Sequence, residues 1–154
     1  LYEGASRPGH FDGVVTVVRR LFDLVQPQVA IFGEKDFQQL ALIREIANEV
    51  EIIAAPIIRE EDGLAMSSRN VRLDGEGRVA ARIISKALRD ATSESELRSI
   101  LATEPMLTVD YADYIDEKTF LAPTESTQFT RAIVAGWING VRLLDNMPVK
   151  SEQK

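Results

Sequence analysis

Three short clusters hold most of the residues able to do chemistry. The sharpest is Phe32-Gly33-Glu34-Lys35-Asp36-Phe37-Gln38-Gln39. An apolar run from Val29 stops at a glycine, and a lysine, an aspartate and two amides follow before the next helical pattern. In open α/β sheets, ligands bind outside the carboxyl ends of the strands, where such residues gather. Gly33 permits close approach to the backbone, the helix start favours an anion, and Lys35 adds a point charge for phosphate. The competing reading is a solvated turn whose charges only cap the helix.

The second cluster is Asp62-Gly63-Leu64-Ala65-Met66-Ser67-Ser68-Arg69-Asn70. Two hydroxyls and a guanidinium in a loop after a strand make a polyphosphate clamp, with Arg69 able to bind bidentately. The competing reading is a Ser-rich turn with Arg69 paired to a nearby acid. The third cluster is Arg7-Pro8-Gly9-His10-Phe11, which contains the single histidine. His10 can meet a carboxylate or phosphate, or it can cap the start of a helix. No nucleophile–base–orienter triad and no metal cluster stands out, so nothing points to covalent catalysis.

The elements that must position these clusters follow from periodicity. Leu1 to Phe11 reads as loop. Val14, Val17, Val18, Leu21, Phe22 and Val25 recur at helical spacing from Gly13, with Asp12 as N-cap and Pro27 beyond the end. Val29 to Phe32 predicts a buried strand. Phe37 to Glu49 predicts a helix with Leu40, Ile43, Ile46 and Ala47 inward, and Glu51 to Ala55 a second strand. Two such strands around one helix make a right-handed βαβ unit. Ile57 to Leu73 reads as a long functional loop.

After Asp74 to Gly77 the pattern changes. Val79, Ile83, Ile84, Ala87 and Leu88 share a helical face, and Ser93 opens a further helix over Glu94 to Leu101. Val109 to Ile115 alternates as a half-exposed strand. Phe129 to Trp137 and Val141 to Asp145 predict a hairpin around Asn139-Gly140. Strands with helices set apart suggest a small α+β module. The boundary is drawn after Leu73, giving domains 1–73 and 74–150, with a frayed end at Ser151 to Lys154.

Composition narrows the function. Eighteen Lys+Arg against 24 Asp+Glu leave a formal charge of −6 over 154 residues. That balance disfavours a nucleic-acid binder, which needs a basic surface. No apolar run approaches the ~20 residues of a membrane helix, so a soluble chain without a membrane role is expected. The absence of cysteine excludes disulfides and thiolate metal sites. The chain opens on Leu1-Tyr2-Glu3-Gly4, without an initiator Met or signal peptide, and reads as one that starts in the middle.

Taken together, the three clusters resemble the pantothenate synthetase (pantoate–β-alanine ligase) family. The resemblance lies in the block from Glu3-Gly4 through Arg7-Pro8-Gly9-His10-Phe11 to Val18, and in the Phe32–Gln39 and Asp62–Asn70 blocks, in that order and spacing. It continues weakly through Val109-Asp110-Tyr111 and Arg142 to Asn146, covering the later half of the family's polypeptide. It implies the C-terminal part of a Rossmann-like nucleotidylyltransferase domain, followed by a small α+β domain with an antiparallel sheet. It also implies ATP- and Mg²⁺-dependent joining of pantoate to β-alanine through a pantoyl adenylate, in the cytoplasm.

By that resemblance Gly33, Glu34, Lys35 and Asp36 line the ATP site, and the backbone of Ile58 touches adenine. Met66, Ser67, Ser68 and Arg69 form the mobile phosphate-binding loop, the counterpart of the KMSKS signature. Lys35, Ser67, Ser68 and Arg69 are the catalytic donors. Gln39 holds pantoate, and His10 lies near the pantoate end. The family's HIGH-like motif, its first pantoate-binding glutamine and its Mg²⁺-binding acids lie upstream and are missing here. Phe37 stands where Tyr is usual, and the connection from Glu49 to Ile52 is a few residues short. The expectation is a chain holding part of the site and inactive alone. Family members are commonly dimers through the first domain, so a homodimer stays open. The alternative is a non-catalytic binding or dimerisation module derived from an adenylating enzyme.

Overall fold

Glycine geometry sets where the first long helix begins. Gly9 sits in the left-handed region at φ 75°, which glycine adopts without a Cβ clash, and the helix opens directly after it. Helix α2 therefore spans His10–Val25. Gly9 rather than Asp12 stands at the N-cap. Asp12 falls inside the first turn, where its carboxylate faces the positive end of the helix. The computed structural model describes residues 1–149, so the end expected to fray at Ser151 to Lys154 lies outside the described residues.

The opening stretch is not all loop. Tyr2–Ser6 forms a single helical turn, α1. Five residues do not hold a helix alone, and tertiary bonds supply the difference. The Glu3 N–H donates to Gln38 Oε1 at 3.0 Å, and Gln38 Nε2 donates to the Leu1 carbonyl at 3.2 Å.

Strand β1 (Val29–Gly33), helix α3 (Phe37–Ile46) and strand β2 (Glu51–Ala55) form the expected βαβ unit. The strands pair in parallel, from Val29 opposite Glu51 to Gly33 opposite Ala55. Helix α3 buries Phe37, Leu40 and Ile43 but stops at Ile46, leaving Ile46 and Ala47 only half-buried. The chain needs the four residues after Ile46 to turn into β2. The strands are not buried on both faces, since Ile31 is 67% and Ile53 43% exposed. Side chains alternate across a strand, so a single helix in the crossover shields one side.

The chain groups into two compact units, Leu1–Ile57 and a second that begins at Ile58. Residues 58–73 thus pack with the helices and sheet of the second unit, whereas the change of sequence pattern comes after Leu73. In that unit Asp74 caps helix α4 (Gly75–Asp90), its Oδ1 accepting from the Gly77 N–H at 2.7 Å. Helix α4 buries a stripe through Ala80, Ile84, Ala87 and Leu88. Val79 lies round the helix from that stripe and is exposed.

Ser93 opens helix α5 (Glu94–Leu101) as its sequence predicts, with Oγ accepting from the Glu96 N–H at 3.2 Å. Strands β3 (Thr108–Asp116), β4 (Thr130–Ile138) and β5 (Val141–Pro148) form an antiparallel sheet in that order. Asn139 and Gly140 both have positive φ, 49° and 73°, the geometry a two-residue hairpin turn requires. Ile84, Leu97, Leu101, Val134 and Ile138 are buried where α4 and α5 meet the sheet. No helix among the described residues is long and apolar enough to cross a membrane.

Candidate functional site

In the first unit the expected residues gather at the carboxyl end of β1. Gly33 closes the strand with extended backbone (φ −72°, ψ 137°), and a Cβ built on it meets nothing within 4 Å. Space therefore lies open beside the backbone. Glu34, Lys35 and Asp36 form one 3-10 turn, and Phe37 buries its ring as α3 begins. Asp36 occupies the N-cap position of α3 yet makes no side-chain cap hydrogen bond. Capping thus does not account for this aspartate.

Gln38 and Gln39 separate by role. Gln38 is bonded to Glu3 and Leu1, whereas half-buried Gln39 follows it on the first turn of α3. His10, the first residue of α2, is tied to the same end of the unit. Arg7 Nη1 lies 2.9 Å from His10 Nε2 and 4.0 Å from Glu3 Oε2, and the Glu3 backbone is bonded to Gln38. A guanidinium only donates, so Nε2 accepts and the ring proton sits on Nδ1.

In the second unit the residues from Ile58 onward double back on themselves. Gly63 at φ 87° makes the reversal, its N–H bonding to the Glu60 carbonyl at 2.8 Å. The Glu60 N–H reaches Leu64 O, and the Met66 N–H reaches Ile58 O, both at 2.9 Å. The Ile58 carbonyl is therefore already engaged, which leaves its N–H and one lone pair to meet a ligand. Met66, Ser68 and Arg69 are exposed, and Ser67 is half-buried. Ser67 Oγ accepts from the Arg69 N–H at 3.2 Å, so the Ser-rich turn is real. The ion pair of the competing reading is not formed: Arg69 has no acid partner among the described residues.

Of the residues that hold this loop, Asp62 and Asn70 lie in the second cluster without an assigned part, and Arg59, Glu60 and Arg78 lie outside all three. Arg78 on α4 bonds Glu60 at 2.5 Å and Asp62 at 3.0 Å, and Asn70 Nδ2 bonds Glu60 at 2.6 Å. The Asn70 amide, and next to it Arg78, hold the Glu60 carboxyl below the usual carboxylate range. The Glu60 carboxylate in turn raises the Arg78 guanidinium. Arg59 reaches Asp145 on β5. Their only sequence signal is a charge pattern, since partners up to 86 residues apart are joined by the fold. Among the described residues no three His, Asp or Glu side chains converge as a metal-ligand set, so no holder for Mg²⁺ is identified within them.

A family model described as pantoate-beta-alanine ligase matches residues 1–148. The pantothenate synthetase of Saccharopolyspora erythraea is 46% identical over 157 aligned residues, which take in 94% of this chain and 51% of the relative. That of Gluconobacter oxydans is 42% identical, over 96% of this chain and 59% of its own length. The crystal structure of pantothenate synthetase from Thermus thermophilus superposes with TM-score 0.93 at 42% identity, over 97% of this chain and 59% of that one. A pantoate-beta-alanine ligase structure from Francisella tularensis, complexed with beta-gamma ATP and beta-alanine, gives TM-score 0.79 at 30% identity, over all of this chain and 56% of that one. The chain thus spans between half and three fifths of the length of these relatives.

Proposed function

The chain belongs to the pantoate–β-alanine ligase family, and from that premise we propose that it carries part of the site where ATP drives the joining of pantoate to β-alanine. The observation that carries the reading is Asp36. It stands at the N-cap position of α3 without making a cap bond, beside the open backbone of Gly33 at the carboxyl end of β1. The Francisella relative, complexed with beta-gamma ATP and beta-alanine, supports a nucleotide as the ligand of this open end.

In the proposed reaction the pantoate carboxylate attacks the α-phosphorus, pyrophosphate leaves, and the β-alanine amine then displaces AMP from the acyl carbon. Negative charge grows on the phosphate oxygens in the first step. Lys35, Arg69 and the Ser67 and Ser68 hydroxyls are donors suited to it, with Gly33, Glu34, Asp36, Ile58 and Met66 lining the nucleotide. Gln39 donates to pantoate without repelling its carboxylate, and His10 lies near the same end. Bringing the substrates together supplies much of the rate, which suits a site without a nucleophile. Mg²⁺ would offset phosphate charge, held by acids that the resemblance places upstream.

The first domain is proposed to bind ATP and pantoate, in a cytoplasmic enzyme. The test is a coupled assay of pantoate-dependent pyrophosphate release. We expect this chain alone to show none, and robust turnover by these residues would overturn the half-site reading. A second reading, a binding or dimerisation module, is favoured by the exposed Val17, Leu21 and Leu24, which follow one another along α2. A concentration-dependent dimer that ignores ATP would select it.

A further inference from the structure

Asn70 closes the Met66–Arg69 loop in a way that neither ligand contact nor core packing explains. It is only 4% exposed, and its Nδ2 donates to Glu60 Oε1 at 2.6 Å and to the Ala65 carbonyl at 3.1 Å. Its Oδ1 is buried with no hydrogen-bond partner among the described residues. Turning the amide over would set its oxygen against a carboxylate and a carbonyl, both acceptors, so the orientation is fixed. Burying an acceptor without a donor is unfavourable.

The Nδ2 donors tie the far end of the loop to its near end. Met66 N–H is bonded to Ile58 O at 2.9 Å, and Asn70 N–H to Ser67 O at 3.0 Å. The Asn70 side chain then bridges Ala65, just before the loop, and Glu60, which Arg78 grips at 2.5 Å from the capped start of α4. Ser67, Ser68 and Arg69 are the residues enclosed. We propose that Asn70, backed by Glu60 and Arg78, is a positioning residue that fixes these three donors relative to Ile58. The ligand they would serve is the nucleotide, with its base at Ile58 and its phosphates at the loop. The choice of ligand rests on the nucleotide reading above; the anchoring rests on the Asn70 bonds alone.

Residue-resolved amide hydrogen exchange on the 154-residue chain, with and without ATP, tests both parts. Asn70→Ala should speed exchange of the Met66 and Asn70 amides about tenfold or more, with the α4 and β4 amides unchanged. Val71→Ala, at a side chain that is 86% exposed, should stay near wild type. ATP affinity should follow the exchange order, falling about tenfold in Asn70→Ala. Unchanged exchange at Met66 and Asn70 in Asn70→Ala overturns the anchoring. If that variant does not fold, Glu60→Ala, which cuts the same tie from the other side, decides on the same criterion. Faster exchange in the variant, with no ATP protection of residues 67–69 in the wild type, upholds the anchoring and defeats the nucleotide reading instead.

Discussion

Arg59 lays both arms of its guanidinium on Asp145, with Nη1 2.6 Å from Oδ2 and Nη2 3.0 Å from Oδ1. The pair joins the segment after β2 to strand β5, across 86 residues of sequence. Asp145 is almost wholly buried, with 4% of its side chain accessible, so removing Arg59 strands a charge in the interior. Arg59→Ala should lower stability by about 3 kcal/mol. Chemical denaturation read by circular dichroism checks this. A double-mutant cycle with Asp145→Ala should show strong coupling, and additive losses would mean that the pair holds nothing.

The Glu60 cluster makes stability depend on pH in a definite direction. The Asn70 amide first, and Arg78 second, hold the Glu60 carboxyl below its ordinary value. A group depressed in this way adds stability that is present above its unfolded pKa and lost as pH falls through the folded one. Glu60→Gln should therefore melt below the wild type at neutral pH, with the gap closing below about pH 4. A gap that persists in acid would point to packing rather than charge.

These two clusters also mark where sequence stops being legible. The Asn139-Gly140 turn and the Ser93 cap are local: a residue type meets a backbone need within a few positions, so the sequence announces them. The helix at Tyr2–Ser6 is not local, because Gln38 holds it from α3. Gly9 and Asp12 competed for one boundary, and the left-handed glycine won over the side-chain cap. The candidate site was legible only as residue types in order, namely Gly33, Lys35, Ser67 and Arg69. That Asp36 caps nothing, and that Asn70 ties the loop, became visible only in three dimensions.

Lys35→Ala with Arg69→Ala removes both cations assigned to the phosphates. Each hydrogen bond to a charged group is worth about 1.5–3 kcal/mol, so the double variant should lose ATP affinity by about 100-fold or more. Isothermal titration with ATP measures it. Affinity that survives both substitutions would leave the module reading standing.

Gly136 is a packing glycine. A Cβ there would stand 2.7 Å from Leu107 Cδ1 and 2.8 Å from the Thr108 carbonyl oxygen. The leucine methyl can move, but the backbone oxygen cannot without distorting β3 beside its irregularity at Val109 and Tyr111. Gly136→Ala should cost about 1–3 kcal/mol, read as a lowered denaturation midpoint. Val134→Ala, in the same strand, removes bulk instead of adding it and tests whether the sheet tolerates voids better than overlap.

Gly33 separates the two kinds of glycine. Its backbone is extended, at φ −72°, and a Cβ would touch nothing within 4 Å. Replacement by alanine thus meets neither strain nor clash, and loss of unfolded-state freedom should raise stability by about 0.4–1 kcal/mol. A structural glycine would never behave so. If the open space beside it is where the nucleotide lies against the backbone, the same methyl group must intrude on the ligand. Gly33→Ala should then gain in melting temperature while ATP affinity falls about tenfold, the cost of a misplaced contact of about 1.4 kcal/mol. Opposite movement of the two measurements is the signature of a site. Equal affinity in the more stable variant would show that the ligand does not approach Gly33, and the nucleotide would have to lie elsewhere along β1 and α3.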